Sequence, residues 1–161
     1  MGNGYAISAI VGNNKYLDKL SDTFASSTAW TERVGFAAAE ATIDFFVKKK
    51  VHLHINEMGE NIIKEWSRIA KKKNIKITIG NYLAIPNFKF KYKHANKLST
   101  IFSYEMLKRG YLATNSVYLS YSHKKETIKE YLKNFEKVFD IIKKILNNEV
   151  KYPNIKEKSF I

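Results

Sequence analysis

The chain has 161 residues, 28 basic against 15 acidic, a formal charge of +13, 45% apolar and 14% aromatic content, and no cysteine. This length and apolar content suit one ordinary domain with a real core and exclude a disordered chain. No apolar run approaches the roughly 20 residues that span a bilayer, and without cysteine there are no disulfides or thiolate metal sites. The N-terminus lacks the basic region and cleavage site of a signal peptide, which fits a cytoplasmic protein with no membrane partner. The charge raises the question of nucleic acid. Only Arg33, Arg68 and Arg109 are arginine, however, whereas bidentate phosphate and base contacts favour arginine. The lysines fall in short clusters at helix ends or outer faces, such as Lys48-Lys49-Lys50 and Lys71-Lys72-Lys73, where cations are favourable anyway. The composition therefore argues against a nucleic-acid partner.

In chain order, residues 5–12 predict a buried strand, short and apolar between Gly4 and Gly12-Asn13-Asn14. A short helix follows over residues 15–21, with Tyr16, Leu17 and Leu20 on one side. Residues 23–30 are small and hydroxylic and predict a loop. Thr31 is placed to cap the next helix, with Glu32 in its first turn, and that helix runs to about Lys48. Gly35, Ala37, Ala38, Ala39 and Ala41 give it a smooth surface. Such a surface suits close packing, deep in the fold or against a partner subunit, and an ordinary alanine-rich core helix reads the same way.

From Asn56 to Lys73, the residues Ile62, Ile63, Trp66, Ile69 and Ala70 repeat with helical spacing, and Asn74 is a stop. Ile75, Ile77 and Ile79 alternate as a half-buried strand, as do Phe88, Phe90 and Tyr92. Residues 96–109 return to helical period, ended by Gly110. Val117, Leu119 and Tyr121 predict a further strand. The last helix starts after Ser122-His123 and shows the clearest periodicity, from Ile128 through Phe135 and Phe139 to Ile145. The expected organisation is α/β, with residues 1–50 as one part, a small α+β domain over 51–150 and a tail over 151–161.

Few residues suggest chemistry on their own. Gly2-Asn3-Gly4 supplies a tight turn with positive φ, suited to lie beside a ligand or simply to enter a strand. Ser26-Ser27-Thr28 offers hydroxyls and backbone amides shortly before a helix start, a setting that suits a phosphate, although such runs are also plain loop and capping residues. Trp30 and Glu32 read first as a packed tryptophan and a helix-dipole glutamate, and second as borders of a substrate pocket. His52-x-His54 is too sparse for zinc. There is no Walker loop, nucleophile elbow or triad.

Taken together, Gly2-Asn3-Gly4-Tyr5-Ala6-Ile7-Ser8-Ala9-Ile10 and the stretch from Ser26-Ser27-Thr28 through Val34-Gly35-Phe36-Ala37-Ala38-Ala39 resemble the second half of class III pyridoxal-phosphate (PLP) aminotransferases, a group that includes glutamate-1-semialdehyde aminomutase. Arg109-Gly110-Tyr111-Leu112-Ala113, Ser116-Val117-Tyr118-Leu119-Ser120, Ser122-His123 and Glu126-Thr127-Ile128 extend the likeness, which covers about residues 1–147. The resemblance implies the C-terminal part of a fold type I PLP-dependent transferase: a remnant of the large domain over 1–50 followed by the small C-terminal domain.

In the family, the lysine that forms the Schiff base precedes the glycine turn, a position that falls before Met1, and Lys15 is no substitute for it. A threonine at the position of Thr28 reaches across the dimer to the neighbouring subunit's cofactor phosphate, so Thr28 and Ser27 are the implied cofactor-binding residues. No catalytic or metal-binding residue is assigned, and His123 is expected to cap or pack. Where the family continues with glycine-asparagine-proline, this chain has Thr31-Glu32-Arg33, a departure that leaves the substrate open.

The leading expectation is thus a fragment of a PLP-dependent aminotransferase. It would use a small-molecule amino donor and a carbonyl acceptor, act as a homodimer or with the missing N-terminal half, and be inactive and poorly soluble alone. The alternatives are a non-catalytic remnant or interaction module, and a glutamate-1-semialdehyde aminomutase of tetrapyrrole synthesis.

Overall fold

A computed structural model describes residues 1–24 and 32–152. The chain divides into two compact units, Met1–Val51 and His52–Ile161.

In the first unit, the backbone reverses over residues 2–5. Asn3 (φ 46°) and Gly4 (φ 107°) both lie in the left-handed region, and the Tyr5 amide donates to the Gly2 carbonyl at 3.2 Å. This is the positive-φ turn that the Gly-Asn-Gly string predicts. The expected strand over residues 5–12 does not form. Among the described residues the sheet consists of β1 and β2 alone, described below, and Ile10 and Val11 are exposed. A strand is completed only by a neighbouring ladder, and no described residue supplies one here.

Asn13 caps α1 (Asn14–Leu17), its Oδ1 accepting from the Lys15 amide at 3.0 Å. A 3₁₀ turn, Asp18–Asp22, extends it, filling the helix expected there. In α2 (Arg33–Lys48) Gly35 and Ala39 are buried. The N-cap is Glu32, which therefore stands before the first turn rather than in it, and its side chain makes no capping bond. Thr31, expected as the cap, lies outside the described residues. Lys50 adopts φ 48° between α2 and the next helix.

In the second unit, α3 (Val51–Lys73) starts about a turn earlier than the periodicity predicts. Asn74 (φ 53°) ends it: the Asn74 amide donates to Lys71 and the Ile75 amide to Ala70, a Schellman closure that asparagine tolerates better than a β-branched residue would. Gly110 (φ 82°) ends α4 (Ala95–Leu107) in the same way, with the Tyr111 amide reaching the Met106 carbonyl.

The strands β1 (Ile77–Ile79) and β2 (Phe88–Phe90) pair antiparallel, Ile77 opposite Phe90 and Ile79 opposite Phe88. The predicted third strand is reduced to a single bridge between Asn87 and Ser116. Its register is kept by amide-to-carbonyl bonds from Phe88 to Asn115, Val117 to Pro86 and Leu119 to Ala84. Pro86 has no N–H to return to Val117, so the ladder lacks a reciprocal bond at its middle.

The amphipathic α5 (Lys125–Leu146) lays Ile128, Tyr131, Leu132, Phe135, Val138, Phe139 and Ile142 into the core. They meet Met58, Ile62, Trp66 and Ile69 of α3, Phe88 and Phe90 of β2, and Ile101, Phe102 and Met106 of α4. Phe135 sits at the centre of this core. Its ring stacks on Phe139 at 4.2 Å and stands 5.5 to 5.7 Å from Phe102, Trp66 and Phe88, distances at which aromatic pairs add to plain area burial.

Candidate functional site

The chain over residues 2–7 and the start of α2 approach closely, and glycine makes both halves of that approach possible. A Cβ on Gly2 would stand 2.5 Å from the Tyr5 carbonyl oxygen, and one on Gly35 would stand 2.8 Å from the Ala6 carbonyl oxygen and 3.3 Å from Cβ of Ile7. α2 thus rests its smooth side on residues 6–7, and the close approach suggested by its small residues is realised within this unit. At Gly4 the Cβ direction opens onto empty space, so the backbone there can lie beside a ligand.

Ser27 and Thr28, the predicted cofactor-binding residues, lie outside the described residues, as does Trp30. Phe24 and Glu32 bound that stretch, and both are exposed. No lysine belongs to the turn. Lys15 sits in α1 with Nζ 5.9 Å from the ring centroid of Tyr16. Among the described residues, the turn thus presents a glycine-lined stretch of backbone without a lysine side chain of its own.

The other candidates fall in the second unit. His52 and His54 lie two residues apart on α3, a spacing that points side chains to different sides of a helix, so they cannot grip one metal ion together. His54 Nε2 instead bonds the His123 carbonyl at 2.8 Å. Among the described residues no group of three or more histidines or carboxylates is arranged to hold a metal, and no helix is long and apolar enough to cross a membrane.

Arg109, within one of the family-like strings, holds a carboxylate that sequence reasoning missed. Glu105 is 5% exposed and accepts from Lys108 Nζ at 2.8 Å, Arg109 at 2.7 Å and the Tyr152 hydroxyl at 2.5 Å. Burial pushes its carboxyl up, but bonds from Lys108, Tyr152 and Arg109 outweigh that and bring it down to about 2. Burial and the same carboxylate push the Tyr152 phenol up. The spacing of Glu105 to Lys108 and Arg109, three and four residues, was the available signal. What it could not reveal was burial or Tyr152. With both oxygens of Glu105 engaged, this cluster ties α4 to the chain beyond α5 rather than presenting a reactive group.

Two grooves open on the second unit. One of about 520 Å³ lies along α3 and α5, lined by charged side chains including Glu57, Arg68, Lys125 and Lys129. The other, of about 1020 Å³, runs beside β2 and α4 between Phe90, Ser99, Ser103, Leu107 and Asn115. Asn115 already spends both amide hydrogens on the Phe88 carbonyl and Ser99 Oγ. The second groove is lined by hydroxyls, amides and Lys89, with no carboxylate or histidine.

No protein-family model matches the chain. Over 62 residues, 38% of its length, it is 40% identical to the 2'-deamino-2'-hydroxyneamine transaminase of Streptomyces kanamyceticus, covering 16% of that protein. Over 152 residues, 91% of its length, it is 24% identical to the 3-aminobutyryl-CoA aminotransferase of Cloacimonas acidaminovorans (strain Evry), covering 37% of that protein. Among solved structures, the PLP internal aldimine form of the FumI protein of Sphingopyxis sp. MTA144 superposes with a TM-score of 0.79 at 20% identity, over 94% of this chain and 37% of that one. The fold is that of part of a fold type I PLP-dependent enzyme. By sequence, the chain is similar to part of a PLP-dependent aminotransferase. It spans about a sixth and rather more than a third of the two curated relatives it matches.

Proposed function

We propose that this chain is the C-terminal part of a class III PLP-dependent aminotransferase, of the kind that includes glutamate-1-semialdehyde aminomutase. The observation that carries the reading is the fold match over 94% of the chain to a PLP enzyme, joined to similarity to two aminotransferases. The cofactor, when bound, supplies an electron sink for moving an amino group from an amine donor to a carbonyl acceptor. This chain's part is to bind and enclose. Ser27 and Thr28 hold the cofactor phosphate, in the site of a neighbouring subunit. The turn over residues 2–5 and α2 give that stretch its footing, and the second unit is the small domain. The Schiff-base lysine comes from polypeptide outside these 161 residues, as a homodimer of the completed protein or through a separate N-terminal half. The working protein acts in the cytoplasm on small molecules, without nucleic acid or membrane.

The test is to incubate the purified chain with PLP, reduce with borohydride, and map pyridoxyl-modified lysines by mass spectrometry beside an amino-transfer assay. The expected result is no turnover and no single lysine labelled stoichiometrically. Once an N-terminal half is supplied, Thr28→Val should weaken cofactor retention while leaving the fold intact. Robust transamination by the isolated chain would sink the proposal. Failure of every completed assembly to retain PLP would favour the non-catalytic remnant instead.

A further inference from the structure

The segment leading into α5 is closed by a ring of hydrogen bonds with one titratable member. Over residues 120–123 the His123 amide donates to the Ser120 carbonyl at 3.1 Å. The Ser120 amide donates back to Nδ1 of His123 at 3.0 Å, and Ser120 Oγ stands 3.1 Å from the same nitrogen. Two further carbonyls are engaged: that of Tyr121 by Lys124 Nζ at 2.8 Å, and that of His123 by His54 Nε2 at 2.8 Å. Lys124, the N-cap of α5, offers no side-chain capping bond, so this closed turn is what fixes the entry to the helix.

The chemistry of the partners sets the protonation states. A backbone amide only donates, so Nδ1 of His123 carries a lone pair and the ring proton sits on Nε2. A carbonyl only accepts, so Nε2 of His54 carries a proton. His54 therefore keeps its bond whether neutral or charged. His123 loses its bond when protonated, because both ring nitrogens are then donors and the Ser120 amide is left facing an N–H.

We infer that the turn over residues 120–123 is a pH-sensitive latch on the start of α5, closed while His123 is neutral. The charged and titratable groups about it are His54 of α3, whose ring is 5.0 Å from Tyr121; Lys124, whose Nζ stands 4.0 Å over the Tyr121 ring; Glu126 in the first turn of α5; and the Glu57–Lys125 pair between α3 and α5, closed at 2.7 Å. Folding through this turn contributes stability at higher pH, and that contribution is lost as acid protonates Nδ1.

Nitrogen-15 spectroscopy of the histidines reads the tautomer, and amide exchange, referred to unstructured rates, reads the latch. At about pH 8 His123 should be in the Nε2–H form with the Ser120 amide protected. At about pH 5 that protection should fall about tenfold, the worth of one net hydrogen bond, while amides in the core of α5 stay protected. His123→Asn, which offers an amide oxygen near the place of Nδ1, should keep the protection at both pH values. His54→Gln, which keeps a donor, should leave the acid response intact. An Nδ1–H tautomer at high pH, wild-type protection that acid does not change, or an equal acid loss in His123→Asn would each overturn the proposal.

Discussion

Replacing Glu105 with glutamine tests whether its buried ion cluster holds α4 to the chain beyond α5. The carboxyl is lowered from 4.5 to about 2, and each tenfold change in proton affinity is worth about 1.36 kcal/mol, so the ionised form contributes about 3 kcal/mol at neutral pH. That is an upper figure, because the Lys108 side chain is 51% exposed and water screens its share. The sign is that of a depressed acid: the stability is fully present above the ordinary carboxylate pKa and drains away as the pH falls from about 4.5 towards 2. Glutamine keeps an oxygen for Tyr152 but leaves Lys108 and Arg109 without their counter-charge, so Glu105→Gln should cost about 2–3 kcal/mol at pH 7. Urea unfolding followed by Trp66 fluorescence, in a Trp30→Phe background, reads the second unit alone. Glu57, Glu130 and Glu136 are also lowered by lysine partners, so the wild-type-minus-variant difference is the informative quantity. It should shrink steadily between about pH 5 and pH 2.5. A variant within about 0.5 kcal/mol of wild type at pH 7, or a difference that does not change with acid, would refute the reasoning.

Gly59→Ala should destabilise the second unit by about 1–3 kcal/mol, because the new Cβ would stand 2.1 Å from the Leu83 carbonyl oxygen, a backbone atom that cannot swing aside; an unchanged urea midpoint would contradict the packing of α3 on that loop. Residues 52–161 expressed alone should fold cooperatively, since every residue of the aromatic and aliphatic core lies among them, and a circular-dichroism melt without a sigmoidal transition would count against a self-sufficient core.

Most of the second unit is legible in the sequence because its signals are local. The stripe from Ile128 to Ile142 needs only the 3.6-residue period to predict α5, and Asn74 and Gly110 mark helix ends because few other residues accept positive φ. The misreadings concern partners distant in sequence. Residues 5–12 are apolar enough for a strand, but a strand is a property of a pair. Residues 117–121 alternate correctly and find their neighbour, yet Pro86, some 30 positions upstream, withholds the reciprocal bond. The bond from His54 to the His123 carbonyl, 69 residues away, is another long-range partnership that no local pattern announces.

The candidate site follows the same rule with a sharper consequence. In the sequence, the strings around Gly2-Asn3-Gly4 and Val34-Gly35-Phe36 stand apart, each notable for its small residues. The structure makes them one contact, because Gly35 admits the Ala6 carbonyl to a distance that a side chain would close off. Two points more than 25 residues apart are thereby fixed, and the stretch that carries Ser27 and Thr28 connects to α2 just before that contact. A larger residue at 35 would have to move the backbone of residues 6–7 and the start of α2 apart. Glycine there holds the entry to α2 against the chain just past the turn.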